Sequence, residues 1–188
     1  MMKLSNESLL LIKNWDAYQD ILLAKKGLEY DFAKLLGSLV GRLQKQDWWE
    51  KNEWAVWQDG IDFSFSDHRW LVGDNHLILV ALDGFTPDRV IGDSQHPPLL
   101  NVWVKDKIPE LNAELHKIIT QNGKLVIDGL SSSVSDQTIV RNNLNSCLPE
   151  EIDTLEETAF NQLSEFCRNY AQLFDEFDKV AQKYLKKG

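Results

Sequence analysis

Three of the four histidines in this 188-residue chain, His68, His76 and His96, fall within 29 residues, each with an aspartate shortly upstream (Asp67, Asp74, Asp93). Imidazoles and carboxylates in a small space hold divalent cations or form acid–base pairs. If one strand runs from Ile61 to His68, then Asp62, Ser64, Ser66 and His68 share its polar face, opposite Ile61, Phe63 and Phe65. Asp62, His68, Asp74 and His76 are therefore the candidate catalytic residues of a metal-dependent hydrolase or nuclease. His68, His76 and His96 are the candidate metal ligands. Against this, the spacing matches no metal motif, and Gly73-Asp74-Asn75 and Gly92-Asp93-Ser94 are ordinary turn sequences. No metal or other cofactor is expected.

A second constellation is aromatic. Trp48, Trp49, Trp54, Trp57 and Trp70 crowd a short stretch of a chain that has seven tryptophans in all. Aromatic platforms stack sugars and bases, but single-stranded nucleic acid also demands basic neighbours. The neighbours here are Asp47, Glu50, Glu53 and Asp59. Rings of this size mainly fill cores, and an exposed subset marks a protein interface, where tryptophan is a frequent hot spot. Trp49, Trp57 and Trp70, with Asp59 and Asp62, are the candidate binding residues.

Phosphate-cradling glycine loops and nucleophile elbows are absent from the sequence. A nuclease-like carboxylate set (Glu53, Asp62, Asp83, Asp128) would need a lysine nearby, and none stands among the middle strands before Lys105. The formal charge of −9 disfavours direct nucleic-acid binding, where cations supply most of the affinity, and disfavours anionic membranes. From Trp54 to Asp106 there are three basic residues and eight acidic ones, all aspartate. Aspartate belongs in turns, which accounts for much of this bias, and an acidic face for a basic partner is the functional alternative. The longest apolar run, Leu77 to Leu82, is far short of the ~20 residues a membrane helix needs. Cys147 and Cys167 form no paired motif and read as reduced thiols, so the expected compartment is the cytoplasm.

These residues must be positioned by two kinds of element. Residues 1–46 read as helical, with Ser5 or Asn6 as cap, Leu11, Trp15, Tyr18 and Leu22 at helical spacing, and Gly27 as a plausible break. Residues 54–128 read mainly as strands. Asp59-Gly60, between two alternating runs, is a strong hairpin signal, and His76 to Leu82 is apolar without alternation, as in a central strand. Leu99 to Val104 is a further strand, Pro109 opens a helix near 109–121, Lys124 to Asp128 reads as a last strand, and Thr138 to Leu144 as a short helix. Within residues 149–187, Phe160, Leu163, Cys167, Tyr170, Phe174, Phe177, Ala181 and Tyr184 keep a 3-4 spacing, the seam of a long heptad helix. That seam would pack on the N-terminal helices or on a second chain as a homodimer.

The expectation is one α+β domain over 1–188. It would hold an antiparallel β-meander of about four to six strands, with the N- and C-terminal helices packed together on one face. The expected function is that of a non-enzymatic intracellular protein-binding protein, an inhibitor, immunity-type or regulatory protein of a bacterium or phage. It would present an acidic, tryptophan-rich surface to a basic protein.

Overall fold

The computed structural model describes residues 5–50, 52, 54–72, 75–92, 95–104, 108–122 and 138–185. Helix α1 spans Asn6–Lys13, and Ser5 caps it by accepting the Ser8 amide at 3.2 Å. The break comes at Asn14, not at Gly27. Asn14 leaves helical geometry (φ −117°, ψ 33°), and its side-chain amide caps the Leu10 carbonyl at 2.8 Å. Helix α2 then runs unbroken over Trp15–Leu43, through Gly27, and α3 is the single turn Asp47–Glu50.

Strands β1 (Trp54–Asp59) and β2 (Asp62–Asp67) form a hairpin closed by Gly60 at φ +55°, a conformation that favours glycine. A 3-10 turn, His68–Trp70, leads into a small ribbon of β3 (Leu71–Val72) and β4 (Asn75–His76). Then come β5 (Ile78–Asp83), the short helix α4 (Pro87–Val90), β6 (Leu99–Val104), α5 (Pro109–Gln121) and β7 (Thr138–Asn143). The main sheet is antiparallel with order β1-β2-β5-β6-β7, a meander. The segment expected to be a short helix is therefore the edge strand β7. Its Ile139 and Val140 are β-branched and buried, and its backbone pairs with β6 from Leu99 to Trp103. The strand expected over Lys124 to Asp128 lies outside the described residues.

After a 3-10 segment (Pro149–Thr154) come α6 (Leu155–Ala171) and α7 (Phe174–Leu185). The heptad seam is thus divided between two helices by a turn at Gln172 and Leu173. Phe160 through Ala181 of the seam are each under 10% exposed, all against this chain's own core. Arg42 of α2 reaches Glu156 and Glu157 at the start of α6 and lies 3.8 Å over the Phe160 ring. Helix α7 is tied to α5 by Lys183 and Tyr184 on Glu114.

The core lies between the helices and one face of the sheet. The pleat turns Phe63, Phe65, Val80, Leu82 and Val102 into it, Trp49, Trp54 and Phe174 close around Phe65, and Trp70 packs against Phe174. Leu79 and Ala81, buried on the opposite, outer face, stand apart from this cluster. Cys167 is 1% exposed on α6 and its thiol is pushed up by burial. Among the described residues no helix is long and apolar enough to cross a membrane.

Candidate functional site

The outer face of the sheet carries Trp57, Asp59 and Asp62 of the residues singled out by their chemistry. The register sets them in rows. Trp57 stands opposite Ser64, Ser64 opposite Ala81, Ala81 opposite Asn101, and Asn101 opposite Arg141. In the next row Asp59 faces Asp62, and the pairing of Phe63 with Leu82 brings Asp62 beside Asp83.

Asp62 and Asp83 have distinct duties. Asp62 is exposed, and its Oδ1 accepts the Gly84 amide at 2.6 Å, which fixes the turn after β5. Gly84 has φ +75°, and a Cβ there would run into the Arg89 guanidinium. Asp83 is half-buried and accepts a hydrogen bond from Asn101 Nδ2 at 2.5 Å. Burial foremost pushes its pKa up. The Asn101 amide opposes that, the Asp62 charge adds to it, and Arg89 and Arg141 oppose it. Asn101 is 5% exposed, and its Oδ1 finds no partner among the described residues. Sequence reasoning missed this pair, although a lone asparagine inside the apolar run Leu99–Val104 is a recognisable signal of a buried polar contact.

At the other end of β2, His76 looks like an acid–base group until its hydrogen bonds are assigned. Its Nδ1 lies 3.1 Å from Ser66 Oγ and 3.2 Å from the Asp67 carbonyl oxygen. The Ser66 hydroxyl donates to the Ile78 carbonyl at 2.7 Å. A carbonyl can only accept, so Nδ1 carries the proton and donates to Asp67, with Ser66 as a second acceptor. This is the reverse of the direction in which a histidine activates a serine nucleophile. The Asp67 carboxylate does not orient the imidazole either, because Arg69 grips it through Nε (2.9 Å) and Nη2 (2.7 Å). Burial foremost keeps the His76 pKa below the usual range, with the His68 charge adding, so the ring is neutral at pH 7. His76 is a structural latch between the small ribbon and β2.

Arg69 is the hub of this end. Besides Asp67 it meets Asp175 at 3.2 Å and Asp178 at 3.4 Å on α7, while the Trp70 indole N–H donates to Asp178 at 3.1 Å. Burial, the largest influence on Asp67, pushes its pKa up, but the hydrogen bonds and charge of Arg69 outweigh it and hold the carboxyl below its ordinary range.

The candidates from the sequence thus separate. Asp62 opens β2 and His68 follows its last residue, so six steps of ~3.3 Å set them about 20 Å apart. His68 is exposed, with its ring 6.4 Å from that of His76. Asp74 lies outside the described residues. His96 is exposed ahead of β6, and among the described residues no three His, Cys, Asp or Glu side chains are grouped to hold a metal ion. Of the binding candidates, Trp49 and Trp70 are core residues, 5% and 0% exposed, which corrects the expectation that they line a contact surface. They are buried because they fill the junction between helices and sheet. Trp57 is 41% exposed and edge-on to His76 at 4.5 Å, and one row further on Asp59 and Asp62 face each other at the hairpin tip; β1 is an edge of the sheet among the described residues. No protein-family model, curated protein or solved structure matches this chain.

Proposed function

We propose that the chain is a non-enzymatic protein-binding protein that meets a basic partner with the tip of its β1–β2 hairpin. One observation carries this reading: an exposed tryptophan, Trp57, stands one row in from two exposed carboxylates, Asp59 and Asp62, which face each other at the hairpin tip, on a strand that is an edge of the sheet among the described residues. The ring offers a large, stiff contact area at low entropic cost, and the carboxylates steer a cationic partner. A regulatory or inhibitory role suits such a surface. The wiring of His76, Ser66 and Asp67 into structural contacts weighs against a hydrolase built on them.

The test is affinity capture on the immobilised chain at about 50 mM and about 300 mM salt, with a captured partner identified and titrated. Parent protein should be compared with Trp57→Ala and with Asp59→Asn/Asp62→Asn, which keeps an acceptor for the Gly84 amide. Affinity should fall by about tenfold or more in each variant, and fall with salt for the parent. A partner held equally by all three proteins, with no response to salt, would rule this surface out.

A further inference from the structure

We propose that the cleft between α6 and the β6–β7 end of the sheet binds a neutral polyhydroxylated molecule the size of one sugar ring. The cleft has a volume of about 210 Å³ and lies at the sheet edge opposite β1. Its polar lining is Asn142 on β7, Asn145 two residues beyond that strand, and Gln162, Glu165 and Asn169 on α6. Leu100 of β6 and the rings of Phe166 and Tyr170, 4.7 Å apart between centroids, supply the apolar part.

Two of these groups stand where packing alone would not put them. Asn142 pairs with Leu100, in the same row of β7 as Val140 and Leu144, which are 0% and 1% exposed members of the core. A strand favours a β-branched residue at such a position and disfavours asparagine. Tyr170 is 3% exposed, yet among the described residues nothing pairs with its hydroxyl. Burial pushes its pKa up, so the group is a protonated donor at pH 7. A buried hydroxyl without a partner costs stability. One such polar group on each wall of the same cleft, each kept against stability, is the mark of a site selected for something other than the fold.

The lining says what fits. A side-chain amide offers two donors and an acceptor oxygen, a hydroxyl both donates and accepts, and the two satisfy each other without net charge. Four of the lining side chains are amides. The Asn145 backbone N–H donates to Gln162 Oε1 at 2.9 Å, which turns the Gln162 NH2 group into the donor for a ligand. No basic side chain lines the cleft, and Glu165 adds a carboxylate, so a phosphate or carboxylate ligand would enter unpaired. Neighbouring hydroxyls of a ring, by contrast, can both donate to Glu165. Gln162, Glu165 and Asn169 fall within about 60° of one another at 100° per residue, a polar row across the cleft from Asn142. The volume equals that of about seven waters, which one ring would displace, with its C–H groups lying against Leu100, Phe166 and Tyr170.

The cleft and the Trp57 tip are at opposite edges of the sheet, and the two readings stand or fall independently.

Amide NMR spectra of the full chain, titrated to about 50 mM with glucose, galactose, ribose and inositol in turn, are the test. At least one of these probes should shift the side-chain amides of Asn142, Gln162 and Asn169 saturably, with a Kd on the order of 1–10 mM, as a ligand of that size allows. Asn142→Val and Tyr170→Phe should each weaken binding by about tenfold or more. Both variants should nevertheless melt at or above the parent's temperature, because each removes a polar group that the fold does not use. The proposal is overturned if none of the four probes shifts these amides, or if both variants bind as the parent does. Loss of stability in both variants overturns it as well, since the two groups would then be structural. So does methylammonium bound in place of the four probes and released by Glu165→Gln, which would make the cleft a cation site.

Discussion

The two halves of α2 are one unbroken helix with similar apolar spacing, yet they live in different solvents. Leu36 is fully buried in the core, and Leu28, two turns earlier, is 42% exposed. Helical periodicity alone does not say where a stripe will be covered. Coverage depends on what else the chain can bring to it, and among the described residues the buried positions of α2 begin at Phe32. The lesson is that an amphipathic pattern fixes a helix and its faces, while burial is decided by the elements that the rest of the chain packs against it.

The comparison is most sharply broken or upheld by cutting the same side chain in both halves. Leu36→Ala should cost about 2–5 kcal/mol, by lost burial plus the cavity left behind. Leu28→Ala should cost less than about 0.5 kcal/mol when both variants are measured by urea unfolding. Equal costs would mean that the first half of α2 is packed after all.

Next in size is the Arg69 hub, which anchors the body to α7. Arg69→Ala should lower stability by about 2 kcal/mol, discounted because the guanidinium is itself half exposed. Asp67 has a depressed pKa, so its contribution is present above the ordinary aspartate range near about pH 4. It is lost as pH falls through the lowered value. Acid unfolding curves of the variant should therefore be flatter than the parent's below about pH 4.

The smallest effect should come from Asp83. Its folded-state pKa is raised, so the folded chain holds that proton to higher pH than the unfolded chain does, and stability declines as pH rises through this window. Asp83→Asn, which can still accept from Asn101, should match the parent below about pH 4 and melt at or above it at pH 7. A lower melting temperature at pH 7 would mean that the charged carboxylate is stabilising where it sits.

Much of the body was legible in the sequence. Asp59-Gly60 and the unbroken apolar run before Asp83 are signals with a direct backbone cause, and both strands formed where those signals stood. Thr138–Asn143 was not, because six residues hold too little periodicity to separate helix from strand and the partner that decides it, β6, is far off in sequence. The C-terminal seam reads as one helix because its heptad phase carries across the turn at Gln172 and Leu173. The candidate site was legible only as a set of residue types. That His76 donates where a catalytic base would accept follows from the position of the Ile78 carbonyl, which no spacing rule reveals.

The two cysteines give the molecule a pair of internal clocks. Cys167 sits on the inner side of α6 with its thiol pushed up by burial, so a thiol reagent can reach it only when the body opens. Cys147, 6% exposed in the loop that bridges to Ile91, needs no more than a local opening of that loop. Labelling rates at the two positions in native buffer therefore count rare whole-body openings and frequent loop openings side by side. Each can be timed in the same tube without denaturant.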